Sequence, residues 1–189
     1  MEARKIGVLV GSLRKGSFSR KIAKVLMALT PADFIAEEIE IGQLAMYNQD
    51  FDDEGTPPKE WIAFREIVKK YDAILFVTPE YNRSVPAVLK NALDVGSRPY
   101  GQSVWSGKPG AVVSVSPGAL SAFGANHHLR QSLVFLNIPA MQQPEAYIGN
   151  VANLFDESGA LANEGTREFL QKFIEAFAVW IKKNSTEGS

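Results

Sequence analysis

The chain has 189 residues, 46% of them apolar and 22% charged, with a net charge of −1; roughly 70% of the unfolded surface can be buried at this length, and one α/β domain over residues 1–189 is expected. The lack of a basic surplus argues against nucleic acid as a partner, and with no cysteine there can be no disulfide, thiol nucleophile, cysteine-bound zinc or iron–sulfur cluster. No apolar run reaches membrane-spanning length and no signal-peptide pattern opens the chain, so membrane insertion is not expected and the sequence reads as cytoplasmic.

Ile6 to Val10 is a continuous apolar run, as a central parallel strand buried on both faces requires. Ser17 to Leu29 follows as a helix with Ile22, Val25, Leu26 and Leu29 on one face. Phe34 to Ile41 alternates as a second strand. The stretch "GQLAMYNQDFDDEGTPP" then has no period and reads as a surface excursion, with Asp52, Asp53 and Glu54 as a solvated acidic cluster. Pro57 and Pro58 suit a helix start, and Trp61, Phe64, Val68 and Tyr71 recur beyond them at helical steps.

"AILFVTP" is the third strand, ending at Pro79, and Pro86 opens the next helix through "AVLKNALDV". Pro109 to Val115 gives a fourth strand, Leu120 to Phe135 a helix, and Ile138 to Gln142 a short fifth strand. The last helix, about Glu164 to Lys183, carries Phe169, Leu170, Phe173, Phe177, Trp180 and Ile181 on one stripe, read as core, and residues 184–189 form a frayed tail. Alternating strands and helices with right-handed crossovers imply a three-layer α/β sandwich around a parallel sheet. In the strand order 2-1-3-4-5, a ligand crevice opens where strands 1 and 3 send their chains to opposite faces. The loops that would line it are 11 to 19, 79 to 84 and 116 to 124.

The first of these, within "KIGVLVGSLRKGSFSR", nearly matches a triphosphate loop, but Ser17 stands after Gly16 where that motif needs lysine. The dinucleotide fingerprint also fails, because nothing between Gly11 and Gly16 is glycine. What remains is a set of hydroxyls, Ser12, Ser17 and Ser19, with the guanidinium of Arg14 at a helix N-terminus, which suits a single phosphate monoester and needs no metal. A helix simply capped by Ser17 fits the same residues. In the second loop, "TPEYNRSVPAVLKNALD", a proline turn precedes Glu80, Tyr81 and Asn82 and would expose amides and an aromatic ring; a plain turn with Ser84 capping the next helix is the alternative. The third loop, "SVSPGALSAFG", is small and polar enough to hydrogen-bond along the edge of a flat ring.

"GSLRKGSFS" followed by "TPEYNRSVPAVLKNALD" resembles the NAD(P)H-dependent FMN reductases, closest to their bacterial quinone and chromate reductase branch, and "HHLRQSLVFLNIPAM" and "QQPEAYIG" extend the likeness over nearly the whole chain. The resemblance implies a flavodoxin-like fold and FMN as cofactor. Position by position it implies that Ser12, Arg14, Ser17, Phe18 and Ser19 hold the flavin phosphate. It places Pro79, Glu80, Tyr81, Asn82 and Ser84 along the isoalloxazine and ribityl chain, and Ser116 and Gly118 at the ring's other edge. Ser19 stands where many members carry asparagine, Ser121 and Ala122 where relatives often have paired glycines, and Gly124 where some have arginine.

The chemistry so implied is hydride transfer from NADPH or NADH to the flavin and onward passage of electrons to a quinone, with chromate, azo dyes or free flavin as further acceptors. The flavin carries the reaction, and no side chain need act as acid or nucleophile; the amides of the Glu80 to Asn82 turn would stabilise charge on the reduced ring. The family also implies a homodimer or homotetramer with the flavin at a subunit interface. Tyr47, Asn48 and Asp50 could reach a partner's flavin, although a solvated loop is the plainer reading, and Arg130 and Glu145 could pair at a subunit contact. His127 and His128, adjacent on a helix, point apart and cannot share a metal. A non-catalytic flavodoxin-like electron carrier or flavin-binding sensor is the competing reading; the nearly neutral charge and Arg14 in the loop favour the enzyme.

Overall fold

In the computed structural model, residues 3–185 are described here. Five strands form one parallel sheet in the order β2-β1-β3-β4-β5, with β1 Arg4–Val10, β2 Phe34–Glu38, β3 Ala73–Thr78, β4 Gly110–Val115 and β5 Ala146–Ile148. The central strands β3 and β4 are buried at every position, which explains their unbroken apolar sequence. Six helices connect and close the layers: α1 Phe18–Ala28, α2 Gln49–Asp53, α3 Lys59–Lys69, α4 Ala87–Gly96, α5 Phe123–Phe135 and α6 Glu164–Asn184.

Alternation along the strands divides the core. Ile6, Val8, Val10, Leu75, Val77 and Val113 face Ile22 and Leu26 of α1 and Leu170, Phe173, Phe177 and Ile181 of α6. Leu9, Ile74, Phe76 and Val112 face Trp61, Phe64 and Val68 of α3, Leu89 and Leu93 of α4, and Leu129 and Leu133 of α5. The aromatic stripe of α6 is thus core, each fully buried phenylalanine contributing about 1.5–3 kcal/mol. After β1 the chain crosses one face, and after β3 the other. The order read from sequence, and the flavodoxin-like architecture with it, is therefore the observed one.

Four expectations are corrected. Ile138 to Gln142 is not the fifth strand: Ala140 makes a single bridge to Gly110, Pro139 has no N–H for a ladder, and pairing resumes only at Ala146–Ile148 against Val113 to Val115. Helix α5 starts at Phe123 rather than Leu120, because Ser121 and Ala122 are left-handed, at φ 55° and 58°. Strand β2 ends at Glu38, though Ile39 N still donates to Val8 O at 2.9 Å. Asn184 ends α6 and Ser185 caps it, donating from N and Oγ to Ile181 O, so only residues 186–189 of the expected tail lie outside the described residues.

The excursion after β2 is held rather than loose. Asn91 of α4 donates to Leu44 O at 3.2 Å and Ala45 O at 3.0 Å and accepts from Tyr47 N at 2.8 Å, while Trp61 Nε1 donates to Ala45 O at 3.0 Å. Asp52 is no member of a solvated cluster: Arg65 of α3 clasps it with two hydrogen bonds of 2.8 and 2.7 Å, in side chains only 9% and 3% exposed. No helix among the described residues is long and apolar enough to cross a membrane.

Candidate functional site

Parallel pairing brings the carboxyl ends of the three central strands level, with Val10 opposite Val77 and Thr78 opposite Ser114. The loops after β1, β3 and β4 therefore emerge side by side, at the place where β1 and β3 send the chain to opposite faces. This is where a doubly wound sheet binds its ligands.

In the first loop Gly11 N donates to Val77 O at 2.9 Å and Ser17 N to Arg14 O at 3.2 Å. The amides of Ser12, Leu13, Arg14, Lys15, Gly16, Phe18 and Ser19 meet no backbone carbonyl among the described residues. Ser17 is the N-cap of α1 and accepts from Arg20 N at 3.1 Å, so its hydroxyl does serve as a helix cap. Ser12 and Ser19 are buried, at 6% and 2% exposure, and Arg14 is exposed with no ion pair among the described residues. Arg20, by contrast, is fixed to Glu38 through Nε at 3.0 Å and Nη2 at 2.9 Å. The ring of Phe18 turns toward Phe155, centroids 6.4 Å apart.

Between Tyr81 and Ser84 the second loop makes a two-residue hairpin. Tyr81 N donates to Ser84 O at 3.1 Å and Ser84 N to Tyr81 O at 2.9 Å, with Asn82 and Arg83 both left-handed at φ 49° and 63°. Tyr81 is 54% exposed at this tip. Pro79 and Glu80 are half-buried. The Glu80 carboxylate turns to α5 and accepts from Ala125 N at 3.0 Å, with Arg83 Nη1 3.6 Å from its other oxygen, while its main chain stays in the turn expected to line the ring. Ser84 does not cap α4, whose cap residue is Pro86; its hydroxyl meets His128 Nδ1 at 3.0 Å.

In the third loop Ser116 Oγ accepts from Gly118 N at 3.0 Å, and Gly118 O accepts from Ser121 N at 3.2 Å. Ser121 and Ala122 are both left-handed, a region that glycine enters without a Cβ penalty. A Cβ at Gly124 would lie 2.8 Å from Arg83 O and 2.9 Å from Glu80 Oε2, so a larger residue would fit here only if the second loop shifted. Sequence reasoning missed this joint between the second and third loops. Its one signal was a helix start, "LSAFGAN", in which the residue at the cap position, Ala122, offers no side-chain acceptor.

Residues set aside earlier have definite places. Tyr47 packs on Trp61 with centroids 5.1 Å apart; its buried hydroxyl has no hydrogen-bond partner among the described residues, and burial, then the Asp52 carboxylate, pushes its pKa up. Asn48 caps α2, accepting from Asp50 N at 3.2 Å. His127 Nε2 lies 3.0 Å from Tyr147 Oη, which donates to Glu145 at 2.8 Å. Burial, then Glu145, pushes Tyr147 up to about 12. Arg130 binds Asn126 Oδ1 and Met141 O, at 2.8 and 2.9 Å, instead of pairing with Glu145 within the chain.

Comparisons with known proteins span these loops along with most of the chain. The sequence profile described as NADPH-dependent FMN reductase matches residues 4–153, which include all three. A quinone reductase of Pseudomonas putida is 61% identical over 179 residues, 95% of this chain and 95% of its own. A 2-hydroxy-1,4-benzoquinone reductase of Burkholderia sp is 46% identical over 180 residues, 95% of this chain and 97% of its own. The solved structure of a flavoenzyme NAD(P)H:(acceptor) oxidoreductase from Paracoccus denitrificans superposes with a TM-score of 0.89 at 40% identity, covering 96% of this chain and 99% of that one.

Proposed function

The chain belongs to the NADPH-dependent FMN reductase family, and we propose that it is an FMN-dependent oxidoreductase that takes hydride from NAD(P)H and passes the electrons to quinones. The observation that carries this reading is the donor set of the first loop. A run of amides and a guanidinium without partners among the described residues, with the hydroxyls of two buried serines, are nearly all donors, gathered at the N-terminus of α1. Such a set suits a dianionic phosphate monoester and fits the phosphate end of FMN.

In this assignment Ser12, Arg14, Ser17, Phe18 and Ser19 hold the phosphate, Ser17 and Phe18 chiefly through the main chain. Pro79, Tyr81, Asn82 and Ser84 border the ring and ribityl chain, with Ser116 and Gly118 at the far edge. FMN, when bound, supplies the two-electron chemistry between nicotinamide and acceptor. The chain's part is to fix the ring against a stiff turn and to offer donors where negative charge gathers on it. The exposed Tyr81 ring offers a flat apolar surface beside that turn, worth about 0.5–1.5 kcal/mol beyond area burial to a stacked aromatic group.

We take residues 1–189 as one domain that works in the cytoplasm as a homo-oligomer. Support for a second copy comes from the outer face of α5, where Val134 and Phe135 are 78% and 81% exposed beside a groove of about 470 Å³ shared with α4.

The experiment is anaerobic. The FMN-loaded chain is mixed with NADPH or NADH, and the yellow absorbance is followed before and after a quinone is added; chromate, an azo dye and free flavin rank the acceptors. Bleaching by the nicotinamide and recovery with the quinone is the expected result. A bound flavin that neither cofactor bleaches would refute the reading.

A further inference from the structure

We propose that Glu80 is a positioning residue: its carboxylate clamps the turn of residues 79–84 to the N-terminus of α5 and so sets the gap between the two loops that border the flavin ring. This rests on the assignment of FMN to the crevice.

The turn between Tyr81 and Ser84 closes on itself with only two main-chain hydrogen bonds, and both of its central residues are left-handed. A hairpin this short is internally stiff, but nothing in its own bonds fixes its direction relative to the sheet. Prolines stand on either side, at Pro79 and Pro86, and cannot donate a bond that would do so. Helix α5 has the complementary deficit. Its cap residue, Ala122, is left-handed and has no side chain to satisfy the first amides. Glu80 Oε2 meets both needs at once by accepting from Ala125 N at 3.0 Å, and its negative charge lies at the positive end of the helix.

Two further contacts fix the spacing. Ser84, at the other end of the hairpin, meets His128 Nδ1 at 3.0 Å, one turn of α5 beyond Ala125 and on the same side. Gly124 touches the hairpin so closely that a methyl group there would stand 2.8 Å from Arg83 O. Arg83, 3.6 Å from Glu80 Oε1, covers the carboxylate from outside and leaves it 15% exposed. The two ties and the close approach hold the second and third loops as one body, and a flat ring lying across them would feel any change in their separation.

The test compares Glu80→Ala, Glu80→Gln and Gly124→Ala with the wild-type chain. FMN and riboflavin affinities are read by fluorescence titration, and amide hydrogen exchange is followed in the chain without flavin. Glu80→Ala is expected to weaken both flavins about tenfold, since the damage falls on the ring's supports and not on the phosphate, and to speed exchange at Tyr81 and Ala125. Glu80→Gln keeps an oxygen that can accept from Ala125 and is expected to stay within about threefold of wild type. Gly124→Ala leaves the carboxylate in place but forces the loops apart, and is expected to match Glu80→Ala. If Glu80→Ala exchanges faster yet binds both flavins like wild type, Glu80 is only a helix cap and the proposal fails. It also fails if FMN weakens while riboflavin does not. A wild-type chain that takes up no FMN would instead overturn the functional reading itself.

Discussion

Arg65 grips the carboxylate of Asp52 through two parallel hydrogen bonds of 2.8 and 2.7 Å, donates from Nε to Val95 O at 2.9 Å, and lies 5.7 Å from the Trp61 ring centroid. One guanidinium thereby joins the surface excursion, α3 and the end of α4. Removing one partner of a buried pair leaves the other charge uncompensated, at a cost of about 3–5 kcal/mol. Asp52→Ala is expected to lower unfolding free energy by about 3 kcal/mol in urea titration. The arginine's hydrogen bonds also hold the Asp52 carboxyl below its ordinary value of 3.8. Its contribution is therefore complete above that value and is lost as pH falls through the folded pKa. The acid limb of wild-type stability should be steeper than that of Asp52→Asn.

The hairpin tip carries strain that a sequence change can relieve. Arg83 is left-handed at φ 63°, where a side chain is disfavoured and glycine is not. Arg83→Gly is expected to raise the unfolding free energy in urea titration by about 0.5–1 kcal/mol, because the ion pair it gives up is long and exposed on the arginine side. Arg83→Val should lower it, since a β-branched residue fits this region worst.

Arg14 carries a guanidinium that pairs with nothing among the described residues and supports no core contact. Arg14→Ala should leave the melting temperature of the flavin-free chain unchanged and weaken FMN about tenfold or more, the usual worth of a charge-assisted hydrogen bond. FMN retention unchanged through dialysis would remove Arg14 from the phosphate site.

The chain from Glu145 through Tyr147 to His127 gives an alkaline signature. Tyr147 is pushed up to about 12, so the folded chain keeps its proton where an unfolded tyrosine has lost it. The resulting stabilisation is present below the ordinary value of 10.0 and disappears as pH rises from there to about 12. Absorbance titration of phenolate, wild type against Tyr147→Phe, should show one late-titrating tyrosine missing from the variant.

Much of this was legible in the sequence where local pattern and burial coincide. The apolar runs at Ile6, Ala73 and Ala111 announce central strands because both sheet faces are covered there. The hydroxyls and arginine of the first loop were readable because a loop directly after a strand has one place to go. Asp52 was misread because a segment without period gives no hint that Arg65, thirteen residues later, returns to meet it. The fifth strand, three residues long, gives no period to read, and prolines at 139 and 144 interrupt the run before it. Glu80 stood in the expected loop, but whether its carboxylate faces a ligand or a helix end is decided by α5, some 45 residues on.

The central claim is that the loop from Ser12 to Ser19 grips a phosphate monoester, and one equilibrium comparison tests it most directly. FMN and riboflavin differ by that phosphate alone, so their dissociation constants for the purified chain isolate its contribution. Two or more charge-assisted hydrogen bonds predict that FMN binds at least about 100-fold more tightly. Equal affinities for the two flavins would contradict the claim.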